Sequence, residues 1–206
     1  MLTRMVGAVL IIAAAVEFIM HYRIFELMKN GKWKEFWQLV LSKGLWILFM
    51  LTGGIAYLFL NWWVSGNIFM FMYYQRTHWN NSTQYFWRTI NTQFSGMLHG
   101  LAHVNVRGIF LPNLISFAFS ILMLGYACIK RHNLVYIVFA LGYIFISFAP
   151  SWLLSGARYT LVCVPLFIFL AELLGKNPLK WLLALTLFIA GLIPFFYLFL
   201  RGGPVL

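Results

Sequence analysis

The chain has 206 residues, of which 63% are hydrophobic and only 9% are charged. Soluble domains carry about 25% charged residues, so this composition argues against a globular protein with a polar surface. The formal net charge of +11 comes from basic residues scattered between apolar blocks. This distribution argues against a nucleic-acid partner and favours contact with membrane lipid.

Six apolar segments are long enough to cross a bilayer, which takes roughly 20 mostly apolar residues. They lie at about 4–20, 44–64, 109–129, 133–149, 157–174 and 179–200. A backbone in lipid must satisfy its own hydrogen bonds, so these segments should be helices. The sequence predicts an all-α polytopic membrane protein with one transmembrane domain over residues 1–206.

The basic residues predict the orientation of the chain. If residues 21–43 are cytoplasmic, nine basic residues lie inside and six lie outside. The outer six are all arginines: Arg4, Arg76, Arg88, Arg107, Arg158 and Arg201. The positive-inside rule then places both termini on the non-cytoplasmic side. A bacterial plasma membrane is favoured over the endoplasmic reticulum.

Two connections are longer than hairpins. Residues 21–43 carry Trp33 and Trp37 four positions apart among lysines, which predicts a cytoplasmic amphipathic helix in the membrane interface. Residues 65–108 form an outer loop rich in Asn, Gln, Thr and aromatic residues. A long loop on one side of a helical bundle is where function is expected.

The distribution of carboxylates limits the chemistry of the outer face. The chain has no aspartate, and its glutamates are Glu17, Glu26, Glu35 and Glu172. In the predicted topology all four lie on or near the cytoplasmic side. The outer face therefore offers no carboxylate base and no site for a hard cation. No cofactor is predicted, and a divalent metal would require carboxylates from a partner. The outer arginines and aromatic residues suit a phosphate or a sugar.

The outer loop begins with a first motif. A helix after Gly66 would place Phe71, Gln75 and Trp79 on one face. The motif and its polar neighbours are Gly66, Asn67, Phe71, Gln75, Arg76, His78 and Trp79. An interfacial aromatic helix with a solvated amide explains the same pattern.

A second motif, residues 155–161, places Arg158 and Tyr159 at the outer end of a span and is followed by Pro165. Arg158 either extends to lipid headgroups or points into the bundle to hold a lipid-linked phosphate.

Two weaker patterns occur in the outer loop. His99 and His103 have the i, i+4 spacing of zinc ligands, but no glutamate or third ligand accompanies them. Hydrogen bonding to a ligand or to the loop is the favoured interpretation. The sequons within residues 80–83 matter only in a eukaryotic lumen, and polar turn chemistry explains them adequately.

Together the two motifs resemble a known family. The series Gly66, Asn67, Phe71, Gln75 and Trp79 is similar to the "G-D-P-x-A-F-x-x-x-Q-x-x-W" segment of PIG-V-type mannosyltransferases and their bacterial relatives. The second motif is similar to their "S-x-x-R-(F/Y)…P…L-A" helix. The resemblance covers most of residues 45–175.

The resemblance implies a GT-C fold and hexosyl or mannosyl transfer from a polyprenyl-phosphate sugar on the non-cytoplasmic side. It implies that Gln75, Trp79 and Arg158 line an outer pocket. Arg158, with Arg76 or His78, would contact the phosphate, and Tyr159 belongs to the same motif.

The chain also departs from the family. Asn67 stands where the family has aspartate, and Ile68 replaces proline. The resemblance is confined to the C-terminal half of the family, whose N-terminal half carries the catalytic acid. An upstream segment or a partner chain is therefore expected to supply the acid. The alternatives are a non-catalytic membrane subunit or lipid-binding scaffold, and a transporter, which would require polar residues deep within the spans.

Overall fold

The computed structural model describes residues 7–78, 82–99, 106–151, 153 and 156–201. Within these ranges the chain is helical and has no β-strand, only an isolated bridge between Thr83 and Pro150. The predicted all-α class is confirmed. The α-helices are α1 (Ala8–His21), α2 (Ile24–Lys29), α3 (Trp33–Leu39), α4 (Leu45–Leu48), α5 (Thr52–Ser65), α6 (Met70–His78), α7 (Phe86–His99), α8 (Leu111–Ile129), α9 (Leu134–Ser147), α10 (Gly156–Leu161), α11 (Val164–Leu174) and α12 (Pro178–Leu200).

The chain divides into two compact units, whereas the sequence predicts one domain. The first unit contains Met1–Ser82 and Arg131–Tyr143, and the second contains Thr83–Lys130 and Ile144–Leu206. Helix α9 contributes residues to both units.

In the first unit, a helical run of 33 residues extends from Trp33 to Ser65. A π-helical turn (Val40–Gly44) and a 3-10 turn (Phe49–Leu51) join α3, α4 and α5 without a break. Only the part of the predicted interfacial helix 21–43 that begins at Trp33 is therefore continuous with the predicted span 44–64, and α2 is a separate helix. At about 1.5 Å per residue the run is about 50 Å long, which exceeds the roughly 30 Å hydrocarbon core of a bilayer.

Close packing joins α1 and α9 in the first unit. Val9 is fully buried, and a Cβ added to Gly142 would lie 2.8 Å from Val9 Cγ1. A larger residue at position 142 would push the two helices apart, so the missing side chain permits their close approach.

In the second unit, α8 packs against α7, α10 and α11. The rings of Phe117 and Phe148 lie 5.1 Å apart. A Cβ at Gly96 on α7 would lie 2.7 Å from the Phe110 ring, so this glycine allows the ring to lie against the helix.

The predicted span 157–174 is two helices in the structure. Helix α10 ends at Leu161, and the N–H groups of Val162 and Cys163 close its last turn by donating to Tyr159 and Thr160. Pro165 stands in the first turn of α11. Proline lacks an N–H and clashes with the preceding turn, so it begins a helix more readily than it continues one.

Two helical stretches in the described ranges are long and apolar enough to cross a membrane: Trp33–Ser65 and Gly108–Ile129. They overlap the predicted spans 44–64 and 109–129. In the most apolar part of Trp33–Ser65, the described chain buries none of the residues. In the most apolar part of Gly108–Ile129, it buries 39% of them. A buried core helix of a soluble protein also satisfies length and composition, so these stretches support membrane association without establishing six spans.

Candidate functional site

The first motif begins with a turn between α5 and α6. Gly66 ends α5 with a φ of +71°, a left-handed conformation that suits glycine. The side-chain oxygen of Asn67 accepts a hydrogen bond from the backbone N–H of Phe69 at 2.9 Å. Phe71 then packs its ring 5.5 Å from that of Tyr57 on α5. These three motif residues, Gly66, Asn67 and Phe71, thus shape and pack the α5–α6 turn.

The polar residues of the first motif lie on the exposed part of α6. Gln75, Arg76 and His78 are all exposed. The His78 ring lies 5.2 Å from that of Tyr74, and its Nδ1 is 2.8 Å from Thr77 Oγ1. Trp79 lies outside the described residues. The described end of α6 therefore presents an amide, a guanidinium and an imidazole to its surroundings.

The second motif rests on a pair of buried amides in the second unit. Asn113, in the first turn of α8, is 1% exposed, and Gln93 on α7 is 3% exposed. Asn113 Nδ2 donates to Gln93 Oε1 at 3.1 Å and to the Leu153 carbonyl at 2.9 Å. Gln93 Nε2 donates to the same carbonyl at 3.2 Å. We call this arrangement of Asn113, Gln93 and the Leu153 carbonyl the amide clamp.

The amide clamp also holds the beginning of α10. The Asn113 side-chain oxygen accepts a hydrogen bond from the Ala157 N–H at 3.2 Å. The first N–H groups of a helix have no partner within it, so a side chain from α8 supplies one here. Gly156 makes this approach possible, because a Cβ there would lie 3.0 Å from Asn113 Oδ1 and 2.9 Å from Leu153 Cδ2.

A second connection holds the segment before α10. The buried Thr89 hydroxyl on α7 donates to the Pro150 carbonyl at 2.9 Å and accepts from Gln84 Nε2 at 2.9 Å. The Gln84 backbone N–H donates to the Ala149 carbonyl at 2.9 Å. Backbone groups of the segment between α9 and α10 are therefore held by α7, by α8 and by Gln84, which precedes α7.

Arg158 is exposed and follows this fixed helix start directly. It forms no ion pair with any carboxylate in the described part of the chain, whereas Tyr159 is half-buried. A guanidinium presents five N–H donors in a planar fork that matches phosphate. The clamp fixes the backbone beside Arg158, whose guanidinium has no carboxylate partner among the described residues.

The two motifs belong to different compact units. Gly66 to His78 lie in the first, and Arg158 and Tyr159 lie in the second. A pocket shared by Gln75, Trp79 and Arg158 therefore stays a prediction.

An open groove lies along α7 in the second unit, with a volume of about 310 Å³. Its lining is mostly aromatic and consists of Phe86, Trp87, Ile90, Asn91, Phe94 and Phe117. Such a lining suits a hydrocarbon chain better than a charged group.

Sequence reasoning missed Thr89, Gln93 and Asn113. Thr89, Gln93 and Gly96 follow one another at helical spacing, which could have indicated a packed face of α7 within the predicted loop. Asn113 follows Pro112 inside an apolar run, and a strongly polar residue in such a run indicates a specific partner.

No group of three or more His, Cys, Asp or Glu side chains in the described ranges is placed to hold a metal. The predicted histidine pair is not tested, because His103 and the side chain of His99 lie outside those ranges. Glu26 and Glu35 pair with Arg23 and Lys32 in the first unit.

Comparison of the chain with protein-family models, with curated proteins and with solved structures finds no match.

Proposed function

We propose that the chain is a polytopic membrane protein that takes part in hexosyl transfer from a polyprenyl-phosphate sugar at the non-cytoplasmic face. It would act as the C-terminal part of a GT-C-type glycosyltransferase. The observation that carries the proposal is the amide clamp, which fixes the start of α10 and leaves the Arg158 guanidinium without a carboxylate partner in the described chain. The assignment of sugar transfer rests on the resemblance of the two motifs.

The six-span arrangement belongs to this proposal. Large apolar side chains remain exposed along α5 and α12, for example Trp63, Leu183 and Leu187. Soluble monomers rarely expose contiguous apolar patches of more than a few hundred Å², so lipid is the solvent that suits these faces. Shorter apolar helices, of 10–17 residues, overlap the remaining predicted spans.

The proposed chemistry gives the arginines an electrostatic role. An acceptor hydroxyl attacks C1 of the sugar, the new C1–O bond forms, and the old bond to the phosphate oxygen breaks. The electron pair leaves with the polyprenyl phosphate, and Arg158, with Arg76 or His78, stabilises the negative charge of that phosphate. The acceptor proton passes to a carboxylate that a further segment or a partner chain supplies, because the four glutamates of this chain are predicted to lie on or near the cytoplasmic side.

A second candidate is a non-catalytic lipid-binding subunit. The predicted absence of a carboxylate on the outer face favours it, since such a subunit would bind the lipid phosphate without taking part in sugar transfer. Both candidates require Arg158 to contact phosphate, and they differ in whether sugar is transferred.

A transfer assay separates the two. The chain is reconstituted in lipid, alone and together with a chain that carries an outer-face aspartate, and is given a radiolabelled polyprenyl-phosphate mannose. Transfer to acceptor by the pair supports the glycosyltransferase. Retention of donor without transfer by either preparation supports the lipid-binding subunit. If the preparations neither transfer the sugar nor retain the donor, both candidates are contradicted.

A further inference from the structure

The segment from residue 22 to residue 43, here called the basic segment, contains two sharp turns. Arg23 has a φ of +48° between α1 and α2, and Gly31 has a φ of +68° between α2 and α3. Ile24 is buried, so α2 is held against the first unit and is not a free extension. The exposed side chains on α2 therefore project from a backbone that is packed against the rest of the first unit.

Both carboxylates of the basic segment are already paired. Arg23 Nη1 lies 3.5 Å from Glu26 Oε2, and Lys32 Nζ lies 3.2 Å from Glu35 Oε1. The remaining cations are Lys29, Lys34 and Lys43, which are exposed and have no carboxylate partner among the described residues. The segment therefore presents a surplus of three positive charges.

Large apolar side chains are exposed beside these lysines. Phe25 is 73% exposed on α2. Trp33, Trp37 and Leu41 follow at four-residue intervals, and each is more than half exposed. Four-residue spacing places them in one row along the helix. Aromatic residues that alternate with lysines suit the headgroup level of a bilayer.

The position of the segment favours a membrane as its partner. Helix α3 is part of the continuous run Trp33–Ser65. The stretch from Lys43 to Ser65 spans about 33 Å at about 1.5 Å per residue, close to the roughly 30 Å hydrocarbon core. If this stretch crosses the bilayer, Lys43 lies at its boundary and the basic segment lies at the headgroups.

We infer that the basic segment is a binding surface for anionic lipid headgroups, in which Lys29, Lys34 and Lys43 supply the attraction and Phe25, Trp33 and Trp37 enter the interface. In the predicted topology the basic segment is cytoplasmic, whereas the proposed phosphate site is non-cytoplasmic. It does not depend on sugar transfer.

Lipid selectivity of the full chain tests the inference. The protein is reconstituted in phosphatidylcholine, and spin-labelled phosphatidylglycerol and phosphatidylcholine report their relative association with it. We expect phosphatidylglycerol to be preferred. The variant Lys29→Gln/Lys34→Gln/Lys43→Gln should lower the preference for phosphatidylglycerol by about fivefold or more. Each lysine near an anionic surface contributes about a fivefold effect on association. Raising the salt to about 1 M should weaken the preference, because the Debye length falls to about 3 Å.

Two matched variants complete the test. Lys130→Gln/Lys176→Gln/Lys180→Gln removes three cations elsewhere and should leave most of the preference. Glu26→Gln/Glu35→Gln releases two further cations in the basic segment and should strengthen it. The inference is overturned if the wild type shows no preference, or if the control triple variant loses as much of it as the basic-segment variant. Circular dichroism confirms that each variant keeps its helix content.

Discussion

The side-chain oxygen of Asn113 on α8 accepts a hydrogen bond from the backbone N–H of Ala157 on α10, 44 positions further along the chain. The same side chain donates to Gln93 and to the Leu153 carbonyl. One buried amide thus connects α7, α8 and the segment that carries Arg158. It makes the position of Arg158 depend on packing within the second unit.

Replacement of Asn113 by alanine should destabilise the second unit by about 3 kcal/mol. The change removes the donor to Gln93 Oε1 and the acceptor of the Ala157 N–H, and each unsatisfied group costs about 1–3 kcal/mol. Thermal unfolding in detergent, followed by near-ultraviolet circular dichroism, measures the effect. The matched variant is Asn177→Ala, which removes an exposed amide that accepts the Leu179 N–H and should cost about 1 kcal/mol. Equal losses in the two variants would contradict a special role for the clamp.

Gly156→Ala should also destabilise the chain, by about 1–3 kcal/mol, because its Cβ would press on Asn113 and Leu153. Gly125→Ala on α8 is the control, since a Cβ there meets no described atom within 4 Å. In a helix that control should stabilise by about 0.5–1 kcal/mol. In the same unfolding assay, we expect Gly156→Ala to lower the stability of the chain and Gly125→Ala to raise it.

At position 67, Asn67→Asp should preserve stability, whereas Asn67→Ala should lose about 1 kcal/mol. The side-chain oxygen of residue 67 accepts the Phe69 N–H, and aspartate keeps that acceptor while alanine removes it. Aspartate is the residue of the family that the motif resembles. A large loss with aspartate would show that the turn needs the amide nitrogen as well.

Arg158→Gln should reduce polyprenyl-phosphate sugar transfer by about 10²–10³-fold in the reconstituted pair, the usual cost of removing one donor from a developing negative charge. The transfer rate of Arg158→Lys should fall between those of wild type and Arg158→Gln, because lysine keeps the positive charge but lacks the planar set of guanidinium donors. Arg201→Gln is the control. Arg201 stacks on Tyr197 near the end of α12, so its loss should leave transfer unchanged. Equal effects of Arg158→Gln and Arg201→Gln would indicate a general loss of positive charge.

The helix that carries the first motif could be predicted from local pattern. Gly66 is suited to a left-handed helix end, and the residues after Asn67 have helical spacing, so α6 follows from interactions within a few positions. The location of Pro165 in the first turn of α11 is likewise local, although the sequence prediction joined α10 and α11 into one helix. Because proline favours the start of a helix, Pro165 alone could have predicted that α10 and α11 are separate helices.

The sequence by itself determined the helical class and the apolar character of the chain, because both depend on residue type and spacing along the backbone. Only the tertiary structure decided that Asn113, Gln93 and the Leu153 carbonyl meet, since these groups lie 20 and 40 positions from Asn113. A buried amide is unfavourable in an apolar helix until its partners are in place. Those partners exist only after α7, α8 and the start of α10 have packed together.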